Sequence, residues 1–193
     1  MLSKKPFEDV STCLPGDESD EQARFVQATI STDNGALTIA SIYAPNGNPV
    51  TSEKYPYKLD WMKRLHTHVQ GLLELEECFV IAGDYNVIPH EDDVHNPESW
   101  RDDALFRPQT LHHYRALLNL GLTDAYRACE QGAHRYTFWD YQAGAWAKDH
   151  GIRIDHHLLS PQAADRLKSA GIDAHVRGWQ KASDHVPIWI ELD

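Results

Sequence analysis

FVIAGDYNVIP, residues 79–89, starts as an unbroken apolar run and breaks off at Gly83, Asp84, Tyr85 and Asn86. A short, wholly apolar run reads as a strand covered on both faces, which places it inside a layered α/β core. A glycine, a carboxylate and an amide at the end of such a strand admit two readings. One is a plain Asx turn. The other is a site at the mouth of the sheet, where metal, water and an oxyanion are handled together.

Working outward, residues 23–32 and 36–45 are β-rich runs separated by Asp33, Asn34 and Gly35, a strong hairpin signal. Leu59, Met62, Leu65, Val69, Leu72 and Leu73 recur at helical spacing, so an amphipathic helix is expected over residues 57–76. Residues 90–107 read as a long polar loop, and TLHHYRALLNLG (110–121) as a helix stopped by Gly121. YTFWDY (136–141) and RIDHHLLS (153–160) read as strands joined by a polar loop. SPQAADRLKSAG (160–171) reads as a short helix capped by Ser160 with Pro161 at its first position, and HVPIWIEL (185–192) as the closing strand. This order implies an α/β (α+β) fold, a four-layer sandwich of two mixed β-sheets with helices outside.

A chain of 193 residues suits one well-buried domain. The apolar (41%) and charged (24%) fractions are those of an ordinary globular domain, and no stretch is apolar for long enough to cross a bilayer. The start, MLSKKPFEDV, has no signal-peptide character, so a cytoplasmic location is expected. Cys13, Cys78 and Cys129 lie far apart, which supports neither a disulfide framework nor a thiolate zinc site. A net charge of -11 argues against a basic nucleic-acid coat. It leaves room for a nuclease that meets phosphodiesters through cations and a local basic groove.

Four stretches put polar groups at strand ends: IYAPNG (42–47), AGDYN (82–86), RID (153–155) and SDH (183–185). Singly, each is an ordinary turn or cap. Together they supply carboxylates, a histidine, an amide and a phenol, the inventory for cleaving a phosphate ester. Asp84 and Asp184 suit a hard cation such as Mg²⁺. His185 can meet developing negative charge, best as an imidazolium paired with Asp155. Asn86 and Tyr43 can donate hydrogen bonds to non-bridging oxygens. Lys148, Arg153, Arg177 and Lys181 lie close in sequence to these residues and are candidates to meet a phosphate backbone.

These four motifs resemble the exodeoxyribonuclease III branch of the endonuclease/exonuclease/phosphatase superfamily, which includes AP endonucleases. IYAPNG is similar to its Tyr-x-Pro-Asn-Gly motif and AGDYN to Gly-Asp-Phe-Asn, with Tyr85 for Phe. RIDHHLLS and RGWQKASDHVPIW are similar to its Arg-Ile-Asp and Ser-Asp-His segments. The resemblance implies a Mg²⁺-dependent (alternatively Mn²⁺-dependent) phosphodiesterase acting on double-stranded DNA at abasic sites or 3′ ends. It implies that Asp84 activates water or protonates the leaving group, and that Asn86 orients the phosphate. Tyr43 contacts the phosphate, and Asp155 holds His185 against the scissile group. Asp184 is a metal ligand, joined by Asp84, Asn86 and His185 if a second ion binds. Asn46, Phe138 and Trp139 face the substrate, the last two near an abasic-sugar pocket.

The family's Trp-Asn-Val-Asn and Gln-Glu-Thr motifs, which precede these segments and supply a metal-holding glutamate, have no counterpart here. The resemblance therefore implies an N-terminally truncated member, 1–193 being an incomplete single domain with impaired activity. Glu91 or Asp92 would be the first substitutes for the lost ligand. Two other readings stand beside it: a catalytically inactive DNA-binding module of the same fold, and a related phosphatase with a non-DNA substrate.

Overall fold

The computed structural model describes residues 1–193. In chain order the elements are β1 (Glu8–Ser11), β2 (Phe25–Thr32), β3 (Gly35–Tyr43), α1 (Lys54–Glu74), β4 (Phe79–Asp84), α2 (Pro97–Trp100), α3 (Pro108–Asn119), β5 (Thr123–Asp124), α4 (Ala125–Cys129), β6 (Asp155–Leu159), α5 (Pro161–Ala164), β7 (Leu167–Ile172) and β8 (Ile188–Leu192). Six strands form one mixed sheet in the order β1-β2-β3-β4-β6-β5, and β7 pairs with β8 in a second, antiparallel sheet. The hairpin at Asp33 and Asn34 is present, with Thr32 opposite Gly35. α1 carries the chain across the sheet, so β4 runs parallel to β3, as a helical crossover requires.

The apolar run of β4 is explained by its two covered faces. Phe79 and Ile81 point into the core beneath α1 and α3, among Trp61, Met62, Leu65, Tyr114 and Leu117. Val80 points the other way, to Ala125, Leu159 and Ala163, where Leu167, Ala170, Ile190 and Leu192 of the small sheet pack. That second face is only partly filled. Leu37, Ile39, Val80, Ala82 and His157 line an open trough of about 390 Å³ against Trp189, Ile190 and Leu192.

Three expectations need correction. YTFWDY is not a strand: Phe138 alone pairs, with Ile152 on one side and His185 on the other. The pairing stops there because the Trp139 and Tyr136 rings turn into a local aromatic cluster with Ala145 and Val186. The helix expected over 160–171 ends at Ala164, although Ser160 caps it as foreseen, its hydroxyl accepting from Ala163 N at 3.2 Å. Leu167–Ile172 is strand instead, because pairing with β8 buries Leu167 and Ala170 against the main sheet. The loop 90–107 contains a 3-10 turn at Glu91–Asp93 and the short α2.

Candidate active site

Register brings the first three site residues into a row. Tyr43 at the end of β3 is opposite Asp84 at the end of β4, and Asp84 is opposite Asp155 at the start of β6. Directly opposed residues share a sheet face, so the phenol and both carboxylates project together. Gly83 lets the strands meet this closely. A Cβ there would lie 2.0 Å from the Ile42 carbonyl oxygen, and its φ of +138° is one that side-chain-bearing residues avoid.

Beyond Asp84 the backbone turns. Asn86 has φ +49°, a left-handed conformation that asparagine tolerates. Asp84 Oδ1 accepts from Asn86 N at 2.8 Å, and Oδ2 from Asn86 Nδ2 at 3.0 Å. The Asx turn and the site are thus one structure: the bonds that close the turn also aim the carboxylate. Asn86 Nδ2 also donates to Ala44 O at 2.9 Å, and Asn86 Oδ1 accepts from Asn46 Nδ2 at 3.1 Å. Both amide hydrogens are therefore engaged. This corrects the expectation that Asn86 is a free donor to phosphate; it braces Asp84, and its Oδ1 keeps one lone pair.

His185 arrives from the other end of the chain. The Phe138 pairing and a bond from Val186 N to Thr137 O at 2.9 Å bring the 183–185 segment over the start of β6. There His185 Nδ1 meets Asp155 Oδ2 at 2.9 Å. Thr137 positions the partner, its buried hydroxyl accepting from Asp155 N at 3.2 Å and Ile154 N at 3.1 Å. Phe138 packs edge-on against the His185 ring, 5.0 Å between centroids, and stays half-exposed beside it. Asp184 is held by its main chain: its O accepts from Trp139 N at 2.9 Å, and its N donates to the Tyr141 hydroxyl at 3.0 Å.

Electrostatics distinguish the groups. Burial, reinforced by the charge of Asp155, pushes Asp84 up to about 7. Burial pulls His185 down, but the Asp155 hydrogen bond and the charges of Asp155, Asp84 and Asp184 outweigh it and leave the imidazole a stronger base than usual. The site therefore pairs a carboxyl poised near neutrality with a histidine biased toward its cation.

Several expected substrate contacts are placed elsewhere. Arg153 is 1% exposed, clamped on Asp93 (2.7 Å) and Asp124 (2.9 Å) and bonded to His156 Nδ1 at 3.0 Å. It is a core ion-pair hub, and its closeness in sequence to Asp155 misled because Asp155 projects at the strand end while Arg153 is buried. Trp139 is 2% exposed, its indole bonded to Asp149 at 3.0 Å, so only its backbone serves the site. Arg177 is tied to Trp139 O at 3.1 Å and lies 5.1 Å over the Tyr141 ring. Lys148 reaches back to Ala143 O at 2.8 Å, whereas Lys181 and Asn46 are exposed and Tyr43 is 53% exposed. Asp92 pairs with His90 at 3.3 Å and lines the cavity over the Arg153 cluster, away from Asp84. Thr137 and Tyr141 carried no sequence signal, since each hydroxyl supports the site by accepting from backbone amides.

No three His, Cys, Asp or Glu side chains converge to hold a metal by themselves. Asp84 beside Asn86, and Asp184 near His185, supply oxygen donors of the kind a hard cation takes, with water and substrate oxygens left to complete its shell.

Fold and site define a hydrolase of the phosphoesterase class, its polar groups gathered at the ends of sheet strands. The chain belongs to the Endonuclease/Exonuclease/phosphatase family, whose model matches residues 1–185, and within it to the exodeoxyribonuclease III side. It is 30% identical to Exodeoxyribonuclease III of Haemophilus influenzae, over 100% of this chain and 75% of that one. An AP endonuclease from Archaeoglobus fulgidus superposes with a TM-score of 0.90 at 33% identity, covering 98% of this chain and 72% of that one. A 3′ phosphatase from Neisseria bound to a product DNA hairpin superposes at 0.93 with 32% identity, covering 99% and 73%. The chain spans 59 to 75% of the length of the curated relatives it matches.

Proposed function

We propose that this chain is a Mg²⁺-dependent DNA-repair phosphodiesterase with 3′–5′ exonuclease and AP-endonuclease chemistry. The carrying observation is the row Tyr43–Asp84–Asp155 with His185 bonded to its last member. Relatives named as exodeoxyribonuclease III and AP endonuclease, and one holding a DNA product, support DNA as the substrate.

Asp84, its protonation balanced near neutral pH, takes a proton from the attacking water or returns one to the leaving oxygen. Its aim is fixed by Asn86. The His185 Nδ1 proton is committed to Asp155, so only as imidazolium, the form that Asp155 favours, does His185 carry an Nε2–H to donate to a non-bridging phosphate oxygen. Tyr43 adds a neutral donor at the same strand end. Phe138 offers an apolar edge to a sugar without its base. Asp184 and Asp84 are the residues that would hold the cation, which neutralises phosphoryl charge when bound.

The test is cleavage by the 193-residue chain of a duplex carrying one abasic site, and of a duplex with recessed 3′ ends, with Mg²⁺ or EDTA. Metal-dependent products are expected from both. The sparse carboxylate set favours one alternative, a DNA-binding module without turnover. Duplex binding with no cleavage in Mg²⁺ or Mn²⁺ would select it.

A further inference from the structure

The Asn46 and Asn86 loops share a support that the chemistry above leaves unused. Lys58, on α1, is 0% exposed, and its ammonium donates to Asn86 O at 2.5 Å and Asn46 O at 3.1 Å. No carboxylate bonds it directly; Asp84 and Asp103 act on it from further off, and burial brings it down to about 7. An amphipathic helix would be more stable with a methionine or leucine at such a position, because burying an ammonium is costly even when it is hydrogen-bonded.

A second observation is independent of the first. Gly47 follows Asn46 with φ +89°, and a Cβ there would fall 2.7 Å from Lys58 Cδ and 3.1 Å from Ala104 Cβ. The glycine closing the IYAPNG stretch is therefore the gap through which the lysine stem reaches the two loops. Any side chain at 47 would displace that stem.

We infer that Lys58 is a positioning residue for the phosphodiesterase site: by bonding the main-chain carbonyls of Asn46 and Asn86 together from below, it holds the two amides in register and so fixes Asp84. The chain of contacts is continuous. Lys58 sets both carbonyls, Asn46 Nδ2 meets Asn86 Oδ1 at 3.1 Å, and Asn86 Nδ2 meets Asp84 Oδ2 at 3.0 Å. Loss of the ammonium leaves two buried carbonyls unpaired and the loops free to part, so the effect falls on alignment rather than on the duplex-binding surface.

This inference rests on the proposed phosphodiesterase reading, and two measurements separate them. In the full chain with Mg²⁺ and abasic-site duplex, Lys58→Met should lower kcat by on the order of 10- to 100-fold with KM and metal-free duplex affinity within twofold. Lys58→Gln, which keeps an amide donor, should recover part of the loss and covers the case in which Lys58→Met does not fold. Unchanged kcat, or kcat and duplex affinity falling together in both variants, would overturn the assignment. The second measurement needs no turnover: the side-chain amide NMR signals of Asn46 and Asn86 should move or broaden in Lys58→Gln. An inactive native chain would refute the phosphodiesterase reading alone, whereas Asn46 and Asn86 signals that stay in place would refute the clamp.

Discussion

His185 Nδ1 lies 2.9 Å from Asp155 Oδ2, and Asp155 is itself the register partner of Asp84 across β4 and β6. One carboxylate thus faces both the histidine and the other carboxyl. Its negative charge has opposite consequences for the two: it helps keep His185 protonated and also helps keep Asp84 protonated. Replacing Asp155 by Asn removes both effects while retaining the shape. Turnover on abasic duplex should fall by on the order of 10²-fold. The high-pH limb of the rate profile should shift to lower pH, because the imidazolium loses the partner that extends its range. Duplex affinity should change little. Parallel losses in turnover and affinity would mean that Asp155 is only a strand-end support.

The Arg153 cluster makes a stability prediction. Asp93 and Asp124 are both largely buried and both answered by Arg153, with Arg127 also on Asp93. Arg153→Met leaves two carboxylates without their main partner, a change that typically costs about 3–5 kcal/mol. Urea unfolding should register that loss, and the folded fraction should keep native duplex affinity. A fall in affinity with undiminished stability would return Arg153 to the substrate.

Two buried histidines make the fold sensitive to acid. His156 is buried with Nδ1 accepting from Arg153 and Nε2 donating to Val87 O at 3.0 Å, and burial and Arg153 take it down to about 4. His157, pulled down chiefly by burial, is likewise at about 4. Both are depressed, so the unfolded chain binds more protons between the two pKa values. The contribution of these two histidines is therefore full above about 6.5 and is lost as pH falls toward 4, by up to roughly 3 kcal/mol for each, whereas Asp84, raised to about 7, acts with the opposite sign over the same range. The difference in unfolding free energy between the native chain and His156→Gln, measured at pH 7, 6 and 5, should shrink as pH falls, and a difference that stays constant would remove His156 from the acid response.

The sequence carried the fold where burial is uniform. The wholly apolar β4, the Asp33–Asn34 hairpin and the periodic face of α1 were all readable, because local pattern and tertiary environment agree there. Leu167–Ile172 was not, since only the distant β8 makes it a strand. The four polar motifs identified the site because their side chains do the facing. Residues that act through backbone carbonyls or amides, such as Thr137, Tyr141 and Lys58, have no such signature. The reverse error befell Arg153 and Trp139: both side chains neighbour site residues in sequence and point into the core.

Of the cations near the Ser183–His185 segment, Lys181 is exposed, whereas Arg177 is tied to Trp139 O. Lys181→Glu should weaken binding to duplexes of any sequence and reduce the salt slope by about 1, the mark of one lost phosphate contact. Arg177→Glu should cost stability as well, because the Trp139 carbonyl and the Tyr141 ring lose their partner. If Lys181→Glu left affinity and salt slope intact, the basic edge of the site would lie elsewhere.

Cation binding follows from the state of Asp84. Its carboxyl sits at about 7 because burial and the neighbouring Asp155 both oppose its charge. A cation at this site must displace that proton, and it finds no third carboxylate, histidine or thiolate to help. Affinity in the absence of DNA should therefore be weak and should rise with pH. Between pH 6 and 8 a group titrating near 7 goes from mostly protonated to mostly ionised, so Mg²⁺ or Mn²⁺ should bind roughly tenfold more tightly at the upper value, with proton release at neutrality. Calorimetric titration of the full chain with each metal at the two pH values measures this directly. Asp84→Asn should abolish the pH dependence, and Asp184→Asn should weaken binding at both pH values. EDTA should stop cleavage of abasic duplex while leaving duplex binding in place, since Lys181 does not need the ion. An affinity equal at pH 6 and 8 would place the cation away from Asp84 and leave Asp184 to organise the site without it.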